Sequence, residues 1–368
     1  MGSAATYHLA ARGCKVLAME QHTIPNELGS SHGTTRIIRL GYAEGKKYVP
    51  MLRRAYRLWK DIEQTAGEQL LFITGGIDAS PLKHPDLKKR SLVEGTLESC
   101  RAYEIKHEFM THEQLHERFP AFHLPEELVA VYQPQSGFVL AERSVEAHVS
   151  AALDLGAEIH VGEEVLKWEV HSGEVTVRTD REWYRARRLV ITAGPWVARS
   201  VPQLKDKVKP ERQVMIWVQP KRPKLFQMGA FPVFYMEDGK DKYYGFPVND
   251  KAGFKIGKYN HLKEPIDPAT VDRKCHARDE KVLRKAISKY FHGADGPTID
   301  MKTCIFSNTE DEDFILDLHP DFSQVSIAAG FSGHGFKFCP VVGEIMADLA
   351  LEGGSKSFNL DPFRFDRL

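Results

Sequence analysis

Three glycines fall within six residues, at Gly330, Gly333 and Gly335, with an apolar run on one side and a helix-forming run on the other. Val325-Ser326-Ile327-Ala328-Ala329-Gly330 has the length and composition of a buried strand, and Val341 to Leu351 reads as a helix. A strand that enters a helix through such a turn lets bare backbone approach a flat ligand. The helix that follows presents free N–H groups to an electron-rich edge. On this spacing Lys337 projects into the cleft. A tight turn carrying a solvated lysine is the plainer account of the segment taken alone.

The beginning of the chain points the same way. Gly2 to Ala11 is a run of small residues that predicts a helix stopping at Arg12-Gly13, where glycine suits a left-handed cap. Lys15 to Glu20 predicts a short buried strand ending in a carboxylate. Together these form the second half of a nucleotide-binding βαβ unit. In such a unit the helix N-terminus faces a pyrophosphate, and an acid about 20 residues after G-x-G-x-x-G holds the ribose. Gly2 fits the last glycine and Glu20 the ribose acid. The preceding strand and the first two glycines have no counterpart in the sequence, so the first strand is expected to be missing, because the true start lies upstream or the product is damaged. An ordinary first helix and strand fit Gly2 and Glu20 equally well.

In the middle of the chain, Ser144 to Leu155 predicts an amphipathic helix with a serine cap, Ala157 to Val161 a strand, and Glu174 to Thr179 with Trp183 to Thr192 a hairpin-like pair. The last run ends in Ala193-Gly194-Pro195-Trp196. Such a junction lies at a sheet's carboxyl edge, where open α/β sheets bind ligands. From about 201 to 299 the pattern alternates, as in Gln213 to Val218 and Tyr243 to Val248, which predicts a mostly antiparallel sheet. The fold class is therefore α/β. A Rossmann-like nucleotide domain is built from residues 1–75, 140–200 and 300–368, and a substrate-binding sheet domain is inserted as residues 76–139 and 201–299.

Fifty basic residues balance fifty acidic ones without a long block of either sign, which argues against a nucleic-acid partner or an anionic membrane surface. Apolar runs are strand-sized, well short of the roughly 20 residues of a membrane helix. Five cysteines lie without metal-ligand spacing, which fits a reducing compartment and no metal. With no leader at the start and no peroxisomal address in Asp366-Arg367-Leu368, the cytoplasm is the expected location.

The glycine turn, together with Gly29-Ser30-Ser31-His32-Gly33-Thr34-Thr35-Arg36-Ile37-Ile38-Arg39, Tyr243-Tyr244-Gly245-Phe246-Pro247, and Cys304 through Asp317-Leu318-His319-Pro320, resembles the monomeric sarcosine oxidase family, which includes N-methyltryptophan oxidase and pipecolate/sarcosine oxidase. The resemblance runs in order along nearly the whole chain. It implies FAD held by a cysteine thioether, oxidation of a secondary amino acid to an imine, and transfer of electrons to oxygen as hydrogen peroxide, by a monomer.

Carried over by residue, the resemblance makes Cys304 the flavin-linking thiol. Gly2, Glu20, Gly194, Trp196, Gly330, Gly333, His334, Gly335 and Lys337 become cofactor contacts. Arg39 and Lys337 match a pair that clamps the substrate carboxylate, as a planar guanidinium and a point charge can. A structural salt bridge is the alternative for Arg39. Arg36 and His32 match residues near the flavin ring, where cations stabilise developing negative charge. Lys255 matches a lysine that activates oxygen, although in an alternating strand it would otherwise be read as solvent-facing. Tyr244 is expected at the substrate. Two departures bear on substrate choice. Phe306 stands where a tyrosine is usual, and one extra residue after Lys255 leaves Tyr259 or His261 for the place of a histidine, with His261 favoured. A dehydrogenase with another electron acceptor and a non-catalytic metabolite-binding protein are the rival functions.

Overall fold

The structure is a computed structural model and describes residues 1–86, 88–249 and 253–368. The strand Leu17–Glu20 runs parallel to Glu158–Val161. Leu189–Ile191 runs parallel to Phe322–Ala329, which takes Ile315–His319 antiparallel on its other edge. Among the described residues, Leu17–Glu20 and Leu189–Ile191 each have a strand partner on one side only. Helices Gly2–Ala11, Ala141–Asp154 and Cys339–Glu352 pack together beside these strands. The first helix buries Ala4, Ala5, Thr6, His8 and Ala10, as a helix without a broad polar face must. It ends with Gly13 at φ +75°, the left-handed cap its sequence predicts. Its contact with the last helix depends on Gly343, where a Cβ would stand 2.5 Å from the Ala4 carbonyl carbon.

Three sequence expectations change here. The middle helix begins at Ala141, and Ser144 lies inside its first turn with Oγ donating to the Leu140 carbonyl rather than capping. The run from Trp183 to Thr192 is two strands. Trp183–Ala186 closes a three-stranded meander with Val165–His171 and Glu174–Thr179, whereas Leu189–Ile191 leaves it for the parallel pair. The Thr298–Asn308 strand, expected in the nucleotide-binding part from residue 300 onward, instead pairs along its length with Lys209–Val218, which puts Cys304 opposite Gln213.

That pairing belongs to a nine-stranded sheet. Its order is Glu264–Pro265, Lys209–Val218, Phe254–Lys258, Lys242–Phe246, Val233–Glu237, Gly76–Pro81, Leu128–Gln133 and Glu108–Met110, with Thr298–Asn308 also on Lys209–Val218. Every pairing is antiparallel except that of Val233–Glu237 with Gly76–Pro81. One face packs Phe122, Phe226, Phe231, Phe234, Phe254 and Phe291 together, with the Phe122 and Phe231 rings stacked 4.6 Å apart. At about 1.5–3 kcal/mol for each buried ring, this cluster makes the sheet a firm support for what its other face carries. A further small sheet of three strands, Thr35–Ile38, Gly137–Leu140 and Leu71–Ile73, delivers Arg36 and, one residue past its first strand, Arg39. Among the described residues no helix is long and apolar enough to cross a membrane.

Candidate active site

A cavity of about 1360 Å³ collects residues from the three segments 1–75, 140–200 and 300–368. It exceeds the roughly 300–1,000 Å³ of most small-molecule pockets. Gly2 at the first helix, Glu20 at a strand end, Gly194 and Trp196 at the mid-chain turn, and Gly330, Gly333 and Gly335 all line it, together with Arg36 and Cys304. A Cβ on Gly2 would come 2.8 Å from Thr192 Oγ1, so the helix start sits hard against the end of Leu189–Ile191. The free N–H groups of that first turn suit a pyrophosphate. Glu20 Oε1 accepts from the His22 N–H at 2.9 Å, which holds the carboxylate at the strand end where a ribose is bound in such units. The size, the helix start and the carboxylate together fit a dinucleotide.

Around Cys304 the charge is positive. Arg36 Nη2 lies 3.8 Å from the Sγ and also donates to the Ser30 carbonyl at 3.2 Å. His32 is fully buried with neither ring nitrogen partnered. Burial lowers its pKa to about 3, with Arg36 and Lys255 adding to the effect, so the ring is neutral. Lys255 is not solvent-facing but buried, between the rings of Phe246 at 4.4 Å and Trp217 at 5.2 Å. Its Nζ donates to the Gly33 carbonyl at 2.6 Å and the Thr35 carbonyl at 2.9 Å. Burial pushes its pKa well below the ordinary lysine value, with Arg36 reinforcing the shift and Glu142 opposing it.

Arg39 and Lys337 share one aromatic ring. The Arg39 guanidinium carbon is 4.7 Å and the Lys337 nitrogen 5.1 Å from the Tyr42 centroid. Arg39 Nη1 donates to Asp78 Oδ2 at 3.1 Å, and its Nη2 faces both oxygens of Glu44 at 2.8 Å. Burial would raise the Glu44 carboxyl, but Arg39, His334 and Lys337 bring it down to about 2. Burial raises Asp78, with Arg39 and Thr96 resisting. Lys337 Nζ donates to the His334 carbonyl at 2.8 Å and the Tyr42 hydroxyl at 3.1 Å. Neither cation lines the large cavity. They form a second, buried centre behind the glycine turn.

His334, predicted to contact a cofactor, braces that turn instead. Its Nδ1 lies 2.7 Å from the Tyr42 hydroxyl and its Nε2 2.9 Å from the Glu312 carbonyl. Gly333 is needed at φ +75°, where a Cβ would stand 2.4 Å from the Phe306 ring, two residues from Cys304. Tyr244 packs with Met215, Trp217 and Cys304.

Of the two residues left open after Lys255, it is Tyr259 that reaches the site. Its hydroxyl donates to the Ser332 carbonyl within the turn, and its ring is 5.2 Å from Phe306. His261, favoured by the sequence pattern, is engaged elsewhere. Asn260 takes φ +51° and turns the chain, and the His261 Nε2 is bonded to Asp279 Oδ1 at 3.1 Å, beside the Arg212–Asp279 ion pair. Tyr42, Glu44, Asp78 and Glu142 were missed. A lone acid or tyrosine in a mixed stretch carries no periodic signal, and only the contact with Arg39 or with the His32–Arg36 segment reveals them.

Residues 1–349 match the family model described as FAD dependent oxidoreductase. The chain belongs to that family. It is 37% identical over 358 residues to a monomeric sarcosine oxidase of Streptomyces avermitilis, covering 96% of this chain and 91% of the relative. It is 33% identical over 374 residues to an N-methyl-L-tryptophan oxidase of Citrobacter koseri, covering 100% and 96%. Among solved structures, NikD, an unusual amino acid oxidase, superposes with a TM-score of 0.84 at 21% identity over 98% of this chain and 94% of that one, a likeness of fold. The family is FAD-dependent, and the cavity has the size and lining to fit a dinucleotide such as FAD.

Proposed function

We propose that this flavoenzyme oxidises an N-methyl or cyclic secondary amino acid to its imine, holds FAD by a thioether on Cys304, and passes the electrons to oxygen to give hydrogen peroxide. The observation that carries the reading is that the Cys304 thiol and the glycine turn line one cavity, with Arg36 beside the sulfur. The relatives' names supply the substrate class. Free cysteines throughout and the relatives described as monomeric support a cytoplasmic monomer.

Bound FAD supplies the two-electron acceptor, and the chain supplies placement and charge. Arg39 and Lys337 bind the substrate carboxylate and so orient its amine. Glu44 already holds Arg39, so the substrate carboxylate competes with Glu44 rather than meeting a bare cation. His32, neutral and unpartnered, offers one ring nitrogen as a hydrogen-bond acceptor and the other as a donor. Arg36 and Lys255 stabilise negative charge that develops beside Cys304.

The test is acid precipitation of the purified protein. A yellow pellet is the expected result, with Cys304→Ser giving a colourless one while retaining its fold by circular dichroism. Equal acid-stable flavin in the variant would remove Cys304 from the role, and absence of peroxide during turnover with sarcosine or N-methyltryptophan would remove oxygen as the acceptor.

A further inference from the structure

The segment from His32 to Arg36 carries two side chains of the site, His32 and Arg36, and its internal bonds are local, from the Thr35 N–H to the Gly33 carbonyl at 2.8 Å and from Arg36 Nη1 to the Thr35 carbonyl at 3.0 Å. Gly33 takes φ +91° and Thr34 φ +69°, the latter a strained value for a residue with a branched side chain. What holds it comes from another element. Glu142, in the first turn of the Ala141–Asp154 helix, receives the Gly33 N–H at 2.7 Å on Oε1 and the Thr34 N–H at 3.0 Å on Oε2. The carbonyl of the same Gly33 accepts from Lys255 Nζ at 2.6 Å, and Thr35 adds its carbonyl at 2.9 Å. A carboxylate and a lysine nitrogen thus grip the same short stretch of backbone, the first through N–H groups and the second through carbonyls.

We propose that Glu142 is a positioning residue, which fixes the Gly33–Thr35 backbone so that its carbonyls locate the Lys255 side-chain nitrogen beside the flavin site. The inference rests on the proposed role of Lys255 in transferring two electrons and two protons from reduced FAD to dioxygen, giving hydrogen peroxide. Charge-assisted bonds from backbone N–H groups to a carboxylate are among the stronger ones available for this purpose. Misplacement of a reacting group by about 1 Å costs about 10²-fold in rate.

The experiment uses the holoenzyme and measures flavin reduction by substrate without oxygen, then reoxidation by oxygen, as separate rate constants. Acid-stable flavin per chain and the thermal midpoint are recorded alongside. Glu142→Ala is expected to slow reoxidation by about 10²-fold while reduction stays within about threefold. Glu142→Gln, whose amide oxygen can still accept from Gly33, is expected to recover at least half of that loss on a logarithmic scale. Equal losses in both steps, no loss in either, or a glutamine variant as slow as alanine overturns the proposal. If Glu142→Ala fails to fold, Glu142→Gln decides alone, being required to slow reoxidation more than reduction. Lys255→Met separates the two levels: if it leaves reoxidation unchanged, the role of Lys255 fails, whereas a slow Lys255→Met beside a normal Glu142→Ala sinks only the role of Glu142.

Discussion

Both carboxylate oxygens of Glu44 lie 2.8 Å from Nη2 of Arg39. With Asp78 on Nη1, the guanidinium is already neutralised before any ligand arrives. A cation held between two acids attracts a further carboxylate only by exchange, and removing it strands both acids.

Arg39→Met should therefore cost stability as well as binding. Asp78 is nearly inaccessible and would lose its cation, leaving Thr96 and Gln133 as donors. Breaking a buried pair in this way costs about 3–5 kcal/mol. Chemical denaturation of the variant measures it, and adding Asp78→Asn should recover part of the loss. A variant as stable as the parent would mean the pair contributes nothing.

Lys337 gives a pH dependence of definite sign. Burial, aided by Arg39, lowers its pKa to about 7, so the ammonium is lost as pH rises through that value. Binding of a carboxylate inhibitor should weaken above about pH 7, and Lys337→Met should flatten the profile. For stability the sign runs the other way. The unfolded lysine stays protonated up to about 10.4, so between about pH 7 and 10.4 the unfolded chain binds the extra proton and the parent gains stability relative to Lys337→Met. Thermal midpoints of the two proteins across that window check it.

His261→Ala should lower stability by about 1–3 kcal/mol through the lost bond to buried Asp279 while leaving the turnover number within about twofold of the parent. A loss of turnover of about 10²-fold with flavin still bound would return the ring to the catalytic machinery.

His261 and Lys255 also mark where the sequence stops being informative. Strand alternation is legible through Lys258, but the face a residue meets after Asn260 turns left-handed depends on a backbone angle that no pattern encodes. Lys255 looked solvent-facing by alternation because both faces of its strand are covered, one by phenylalanines and the other by the site. The glycine turn was legible, since three glycines between a buried strand and a helix have few uses. Membership of Thr298–Asn308 in the large sheet was not, because a strand's composition does not name its partner. The acids around Arg39 come from places 5 and 39 residues away and meet only through tertiary folding.

The close approach of Gly343 to Ala4 has a consequence for how the protein is made. The first helix is buried by one that begins at Cys339, 328 residues after Ala11. At about 5–20 residues per second, the ribosome needs roughly 15–65 s to cover that distance. Through that interval the opening helix lacks its neighbour, so chaperone occupancy on the nascent chain should persist until the closing helix emerges.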